Sequence, residues 1–209
     1  MFMMYTLRIV NLNNIFNSLR KKDKMVELGK LNFKLKVTRV NRKSMDKLIK
    51  LADSEYADSC QKLDLSMDGK EENFDVDAFH SIAYAPKLAF SLYALAIVHC
   101  YSIVENNRKL ICQKIHGITN NQIKYIDKIE NVTKYLKNIN IDHENIRCYK
   151  TMDEFRLVNN AIKHDRYNLS THVTTKNKVE YNSNTLKSLY SKTTDLETYL
   201  DDLYKRIVI

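Results

Sequence analysis

Residues 88–104 read LAFSLYALAIVHCYSIV, the longest apolar stretch in the chain, and the fold class follows from it. The run becomes polar at residues 105–108. About 17–25 apolar residues can cross a membrane, but Ser91, His99 and Ser102 interrupt this run. The centre of a helical bundle also requires a helix that is apolar on nearly all sides. We therefore predict a central bundle helix and no membrane span.

Composition favours the same fold class. The chain has 209 residues, which suits one compact domain with extensions. Three glycines, one proline and no tryptophan argue against a sandwich or barrel, because those folds need many tight turns. We predict an all-α protein.

Apolar residues at helical spacing predict further helices on both sides of the central run. Ser44 is a candidate N-cap, and Pro86 falls near the first turn of the central helix, where a missing N–H costs little. Thr151 and Glu154 match the Thr-x-x-Glu capping box. The predicted helices cover residues 2–19, 44–65, 82–115, 119–137, 151–167 and 186–204.

Three segments lack helical spacing. Residues 31–40 alternate apolar and polar side chains, which predicts a short edge strand or an extended arm. Residues 64–77 are acidic and are predicted to form a loop. Residues 168–184 are compatible with a small hairpin that turns at 176–178. We divide the chain into a basic N-terminal extension, 1–43, and a helical bundle domain, 44–209.

Charge is distributed unevenly along the chain. Residues 1–50 carry 13 Lys and Arg against 3 Asp and Glu, a net charge of +10, whereas residues 51–100 carry 3 against 9, a net charge of −6. A basic arm can steer a polyanion such as RNA, although lysine-rich composition and solubility also explain the excess. The first residues lack the apolar core and the cleavage site of a signal peptide, so we expect a cytoplasmic protein.

The cysteines show no metal-site or disulfide pattern. Cys60, Cys100, Cys112 and Cys148 are widely spaced, with no Cys-x-x-Cys and no histidine pair at ligand spacing. We predict reduced, partly buried thiols, and neither a metal nor a cofactor.

Residues 155–167, FRLVNNAIKHDRY, concentrate polar side chains on one predicted helix. Arg156, Asn160 and His164 fall within about 80° of one another around the helix axis. Asn159 lies at the edge of the apolar side, where a polar group needs a partner from a neighbouring helix. This polar stripe is a candidate site, although a solvated helix face with an incidental histidine has the same pattern. The apolar side carries Met152, Phe155, Val158 and Ile162.

The same residues resemble a known family. Residues 160–164, Asn-Ala-Ile-Lys-His, are similar to the signature helix of the HEPN superfamily, which often carries Arg-Asn-x-x-Lys-His on the last major helix of a four-helix bundle. The long helix that runs into SIVENNRKL also resembles the second bundle helix of such proteins. The resemblance covers residues 81–167 in organisation and implies a HEPN-like four-helix bundle with an N-terminal extension and a C-terminal helix.

HEPN proteins are metal-independent ribonucleases or relatives that have lost the activity. The resemblance implies that His164 transfers protons, that Arg156 binds the scissile phosphate and that Asn160 orients it. Lys163 or Asp165 would tune the histidine. Such sites usually form across a homodimer, and the natural substrate would be single-stranded or looped RNA. A toxin or defence role is implied.

Two further residues are candidates because of where they lie in the sequence. Glu105 ends the apolar run and could face the motif helix, but an ordinary surface glutamate is the simpler interpretation. Some HEPN toxins are silenced by a nucleotidyltransferase antitoxin that modifies a tyrosine shortly after the histidine. Tyr167 is the candidate here, and a plain packing or surface tyrosine is the alternative.

The match departs from the family pattern at the arginine. Asn159 stands where the family usually has its arginine, and Arg156 lies one turn earlier. This departure favours an alternative function, a catalytically inactive HEPN-like module that binds a nucleotide, RNA or a protein partner. A third reading is a purely structural helical protein.

Overall fold

The computed structural model describes residues 24–68, 75–116, 128–164 and 171–208. It is an all-α helical bundle with one small antiparallel hairpin, which confirms the predicted fold class. The helices are α1 (24–38), α2 (Lys43–Met67), α3 (Val76–His116), α4 (Ile129–Asn138), α5 (Tyr149–His164), α6 (Ser183–Ser191) and α7 (Thr193–Val208), with a 3-10 turn at His143–Asn145. The strands are β1 (His172–Thr174) and β2 (Glu180–Asn182).

Helix α3 forms the centre of the bundle, since α2, α5, α6 and α7 all pack against it. Its buried residues recur at helical spacing and form one continuous stripe. Burial of each large apolar side chain stabilises the fold by about 1.5–3 kcal/mol. The central helix predicted from residues 88–104 is therefore confirmed. The buried stripe comprises Ile97, Tyr101, Val104, Arg108 and Ile111.

Helix α3 is also the one helix of the described chain that is long and apolar enough to cross a membrane by length and composition, over residues 76–113. In its most apolar 18-residue window, 44% of the residues are buried inside the bundle. The central helix of a bundle has the same properties, so this finding is weak evidence for a span.

The start of α3 differs from the prediction. The helix begins at Val76, where Asp75 Oδ1 accepts a hydrogen bond from the Ala78 N–H at 2.8 Å. Pro86 therefore lies inside the helix and cannot donate to the Ile82 carbonyl. Helix α2 continues to Met67 and α3 begins at Val76, so both ends of the predicted acidic loop over 64–77 are helical.

Residues 31–40 form mostly helix, and the predicted strand is wrong. The helix continues to residue 38, and only residues 39–42 lack helical structure. Phe33, Val37 and Val40 follow the i, i+4, i+7 spacing, and Val37 and Val40 are buried in the core. Leu31 and Leu35, which completed the alternating pattern, are exposed. The sequence of this segment fits both the strand period and the helix period, and packing against α7 stabilises the helix.

The predicted N-caps are also wrong. Helix α5 begins at Tyr149, two residues before Thr151, whose hydroxyl instead donates to Asp195 Oδ2 at 3.1 Å. Glu154 accepts from the Tyr181 hydroxyl at 2.9 Å rather than capping the helix. Helix α2 begins at Lys43, so Ser44 lies inside its first turn.

The C-terminal region contains the predicted hairpin and a divided helix. Strands β1 and β2 pair antiparallel, with Val173 opposite Tyr181, and the turn lies at 176–178. The single helix expected over 186–204 is two helices that meet at Lys192. The helix predicted over 2–19 and the start of the one predicted over 119–137 lie outside the described residues.

Candidate functional site

Helix α5 positions the polar stripe by burying another side. Met152, Phe155 and Val158 are fully buried, which sets the rotation of the helix against α3. Asn160 and His164 are exposed to solvent, and His164 is the last described residue of the helix. The sequence-based placement of a core side and a separate polar stripe is confirmed.

Arg156 is held by a carboxylate on its own helix. Its Nε donates to Asp153 Oδ1 at 2.6 Å, and the two side chains are 21% and 26% exposed. Arg156 and His164 lie about 12 Å apart along the axis at 1.5 Å per residue, and no hydrogen bond joins them in the described chain. The resting arginine is therefore engaged by Asp153 and not by His164.

Glu105 lies on the central helix, which packs against α5. Burial raises the pKa of the Tyr101 hydroxyl, and the charges of Glu105 and Arg156 both act on it as well. Tyr101 and Glu105 are one turn apart on α3, which packs against α5. Glu105 thus lies on the helix that packs against the motif helix.

Asn159 is buried, with 1% of its surface exposed. Its Nδ2 donates to Asn160 Oδ1 on the same helix at 3.3 Å, and its own Oδ1 has no hydrogen-bond partner among the described residues. The expected partner on a neighbouring helix is therefore not found there. A buried polar group without a partner costs about 1–3 kcal/mol.

A buried arginine, Arg108, stands beside the same helix and was not identified as a candidate from the sequence. Its side chain is fully buried, its Nη1 lies 4.0 Å from Met152 Sδ, and its Nε and Nη2 have no acceptor in the described chain. The hydroxyls of Tyr101 and Tyr199 interact with the guanidinium. An arginine remains charged at neutral pH, so the core contains a cation without a carboxylate partner among the described residues.

A hydrogen-bonded chain connects Tyr199 to α4 through His143. The Thr133 hydroxyl donates its proton to the Ile129 carbonyl at 3.0 Å and lies 2.9 Å from His143 Nδ1. With the Thr133 proton directed to this carbonyl, the hydrogen of the imidazole is assigned to Nδ1, which donates to Thr133, and Nε2 accepts from the Tyr199 hydroxyl at 2.7 Å. Burial, together with the charge of Arg108, lowers the pKa of His143 to about 4.

The burial of the cysteines agrees with the sequence prediction. All four are free thiols, of which Cys100 and Cys112 are buried and Cys60 and Cys148 are partly buried. Burial raises the pKa of Cys100 and Cys112 to about 11, so both remain protonated at neutral pH. Within the described ranges, no group of three or more His, Cys, Asp or Glu residues is arranged to hold a metal ion.

Cavities open at several places on the bundle. A mostly apolar groove of about 460 Å³ lies between α2 and the first half of α3. A pocket of about 500 Å³ lies beside Thr133 and His143. A groove of about 640 Å³ lies where α1 meets α2 and is lined by basic residues.

The predicted site residues lie in different surroundings. Arg156 and Glu105 lie near Tyr101, Asn160 and His164 are exposed on the same helix, and Lys163 is partly buried. Asp165 and Tyr167 lie outside the described residues. No protein-family model, curated protein or solved structure matches the chain.

Proposed function

We propose that this protein is a metal-independent endoribonuclease of the HEPN type, which cleaves single-stranded or looped RNA at a site shared by two copies of the chain. The observation that carries the proposal is the exposure of His164 and Asn160 on the same helix as Arg156. An exposed imidazole can transfer protons, and a guanidinium can bind a phosphate through paired donors.

The reaction needs few groups because RNA supplies its own nucleophile. The 2′-oxygen forms a bond to the adjacent phosphorus, and the bond to the 5′-oxygen of the next nucleotide breaks. One imidazole removes the 2′-hydroxyl proton, and a second group returns a proton to the leaving 5′-oxygen. Arg156 would neutralise the charge that develops on the phosphate. The products are a 2′,3′-cyclic phosphate and a free 5′-hydroxyl.

A dimer would bring together an arginine and a histidine that are far apart within one copy of the chain. Arg156 and His164 lie about 12 Å apart along one helix, and Asn160 lies midway between them in sequence. If two α5 helices cross in antiparallel fashion at Asn160, the arginine of each copy approaches the histidine of the other. A two-fold symmetric contact of this kind is the commonest form of homodimer. Each composite site would then contain both required groups.

The test is incubation of the purified protein with a labelled single-stranded RNA in EDTA. We expect fragments that end in a 2′,3′-cyclic phosphate, identified by mass spectrometry. DNA of the same sequence is the control, and it should remain intact because it lacks the 2′-hydroxyl. RNA that stays intact at high protein concentration would exclude the proposed activity.

A second candidate is the catalytically inactive module that binds a nucleotide, RNA or a protein partner. Two observations favour it. Arg156 already forms an ion pair with Asp153. Asn159, which stands where the family has its arginine, is buried. RNA that is bound but never cleaved would support this candidate. The proposed toxin or defence role, and an antitoxin that modifies Tyr167, apply only to the active form.

Asp153→Asn is expected to raise the cleavage rate about fivefold. The ion pair with Asp153 is partly exposed, and such pairs contribute up to about 1 kcal/mol. Without this ion pair, the guanidinium can move to the scissile phosphate at a free-energy cost that is lower by up to about 1 kcal/mol, which corresponds to a rate about fivefold higher. Single-turnover rates of the variant and of Glu130→Gln, an exposed carboxylate on α4, provide the comparison. An equal or lower rate in Asp153→Asn would show that the ion pair does not restrain Arg156.

A further inference from the structure

The groove between α1 and α2 carries an excess of positive charge. Five cations line it, and the acidic residues in its lining are Asp46 and Glu197. Its volume is about 640 Å³, and Val40 is the one apolar side chain in its described lining. The lining cations are Arg39, Arg42, Lys43, Lys47 and Lys50.

Both acidic residues already have partners within the fold. Asp46 accepts from the Tyr190 hydroxyl at 2.8 Å and lies 3.5 Å from Arg42. Glu197 accepts from the Val40 N–H at 2.9 Å. The remaining cations, Arg39, Lys43, Lys47 and Lys50, are exposed and form no ion pair with any residue that the structure describes.

The fold holds this array in place. Lys43, Lys47 and Lys50 recur at i, i+4 and i+7, so they lie on one face of α2. Asn107 Nδ2 donates to the Arg39 carbonyl at 3.2 Å, and His99 Nε2 lies 3.2 Å from the Asn41 carbonyl. These contacts attach residues 39–41 to α3. The backbone that carries the cations is therefore anchored to the central helix.

We propose that this groove binds consecutive phosphates of a single-stranded RNA and thereby holds the substrate of the proposed nuclease. The choice of RNA as the polyanion rests on that proposed function. Clustered cations that contact phosphates release counterions, which gives affinity without sequence preference. A membrane surface is the competing partner, because Leu48 and Leu51 are exposed on the same helix as the lysines, but neither leucine lines the groove.

The test compares two triple variants of equal net charge. Lys43→Gln/Lys47→Gln/Lys50→Gln removes three cations of the groove, and Lys128→Gln/Lys134→Gln/Lys176→Gln removes three exposed lysines elsewhere. Both are made with His164→Ala so that the RNA stays intact. Binding of a fluorescein-labelled 20-nucleotide oligouridine is followed by anisotropy over a range of KCl concentrations. Circular dichroism and the thermal midpoint check that both variants fold.

We expect the groove variant to bind roughly tenfold more weakly at 100 mM KCl than the control variant. The slope of log K against log salt should fall by about 2, since each lost single-strand phosphate contact lowers it by about 0.7. Equal affinities of the two variants would overturn the proposal. Sedimentation with vesicles of phosphatidylcholine and phosphatidylserine is the second measurement. Vesicle binding that the groove mutations abolish, with RNA binding unchanged, would also overturn it.

The two proposals can fail separately. RNA that the protein binds through the groove but does not cleave would remove the nuclease and keep the binding site. RNA that is cleaved, with binding insensitive to the three lysines, would keep the nuclease and remove the groove.

Discussion

Replacement of His164 by alanine is expected to lower the rate of RNA cleavage by about 10²–10⁴-fold, the usual contribution of a group that transfers protons in the transition state. His164 is exposed at the end of α5, so its loss should change the free energy of unfolding by no more than about 0.5 kcal/mol. The large effect on rate and the small effect on stability together distinguish a proton-transfer role from a structural one.

The measurement is the single-turnover rate on a labelled RNA in EDTA, with stability followed by urea denaturation. His80→Ala provides the matched control, because His80 is also an exposed histidine on a helix surface. Its rate should equal that of the wild type. If His164→Ala retained full activity, the assignment of His164 would be wrong, whatever other residue proved necessary.

The second large effect concerns His143. We expect the free energy of unfolding to fall by roughly 2 kcal/mol between pH 7 and pH 5, and by about 3 kcal/mol once the change is complete. The pKa of His143 is about 4 in the folded protein, against an ordinary value of 6.5. Between these values the unfolded chain binds a proton that the folded chain does not. Stability is therefore present in full above about pH 6.5 and is lost as the pH falls towards 4.

The main structural cause of the low pKa is burial of the imidazole, followed by the charge of Arg108. Nε2 of His143 accepts from Tyr199, and a proton on Nε2 would oppose that donor. It would also place a second positive charge near Arg108, which has no carboxylate partner among the described residues. Protonation thus conflicts with both neighbours of a buried side chain.

Urea denaturation at pH 7 and at pH 5 gives the two free energies. His143→Gln should be less stable than the wild type at pH 7 but nearly insensitive to pH over this interval. His80→Gln should keep the wild-type dependence. This window lies above the ordinary pKa of carboxylates, so they contribute little. A pH dependence in His143→Gln equal to that of the wild type would show that another group is responsible.

Local patterns predicted much of the fold. The apolar run over 88–104 can be buried by only a few arrangements, and a helix at the centre of a bundle is one of them. The hairpin followed from short Thr- and Val-rich segments around a polar turn, and its position at 176–178 was predicted from neighbouring residues alone. The polar stripe of α5 was predicted for the same reason, since it depends only on rotation about one helix axis.

Predictions failed where two local patterns competed. The segment over 31–40 alternated as a strand does, yet Phe33, Val37 and Val40 also followed a helical spacing. The Thr151 and Glu154 pattern matched a capping box, but the helix had already begun at Tyr149. In both cases the winning arrangement depends on distant residues, because Val40 is held by Glu197 and Thr151 by Asp195.

The buried position of Arg108 could have been predicted from the sequence but was not. Arg108 follows Ile97, Tyr101 and Val104 at helical spacing, so its position on the buried stripe of α3 could have been predicted. Its neighbour Tyr199 is 91 positions away in the chain, and the pairing of His143 with Tyr199 depends on how α7 packs.

For this protein, the amino-acid order alone specifies the helical class, the central helix, the hairpin and the polar stripe of α5, because each depends on residues a few positions apart. Tertiary packing decides that Asp153 holds Arg156 while Asn159 is buried, that Arg108 lies without a carboxylate partner among the described residues, and that residues 39–50 form a basic groove. Burial and hydrogen bonding between distant segments produce these features. They arise only when the helices come together.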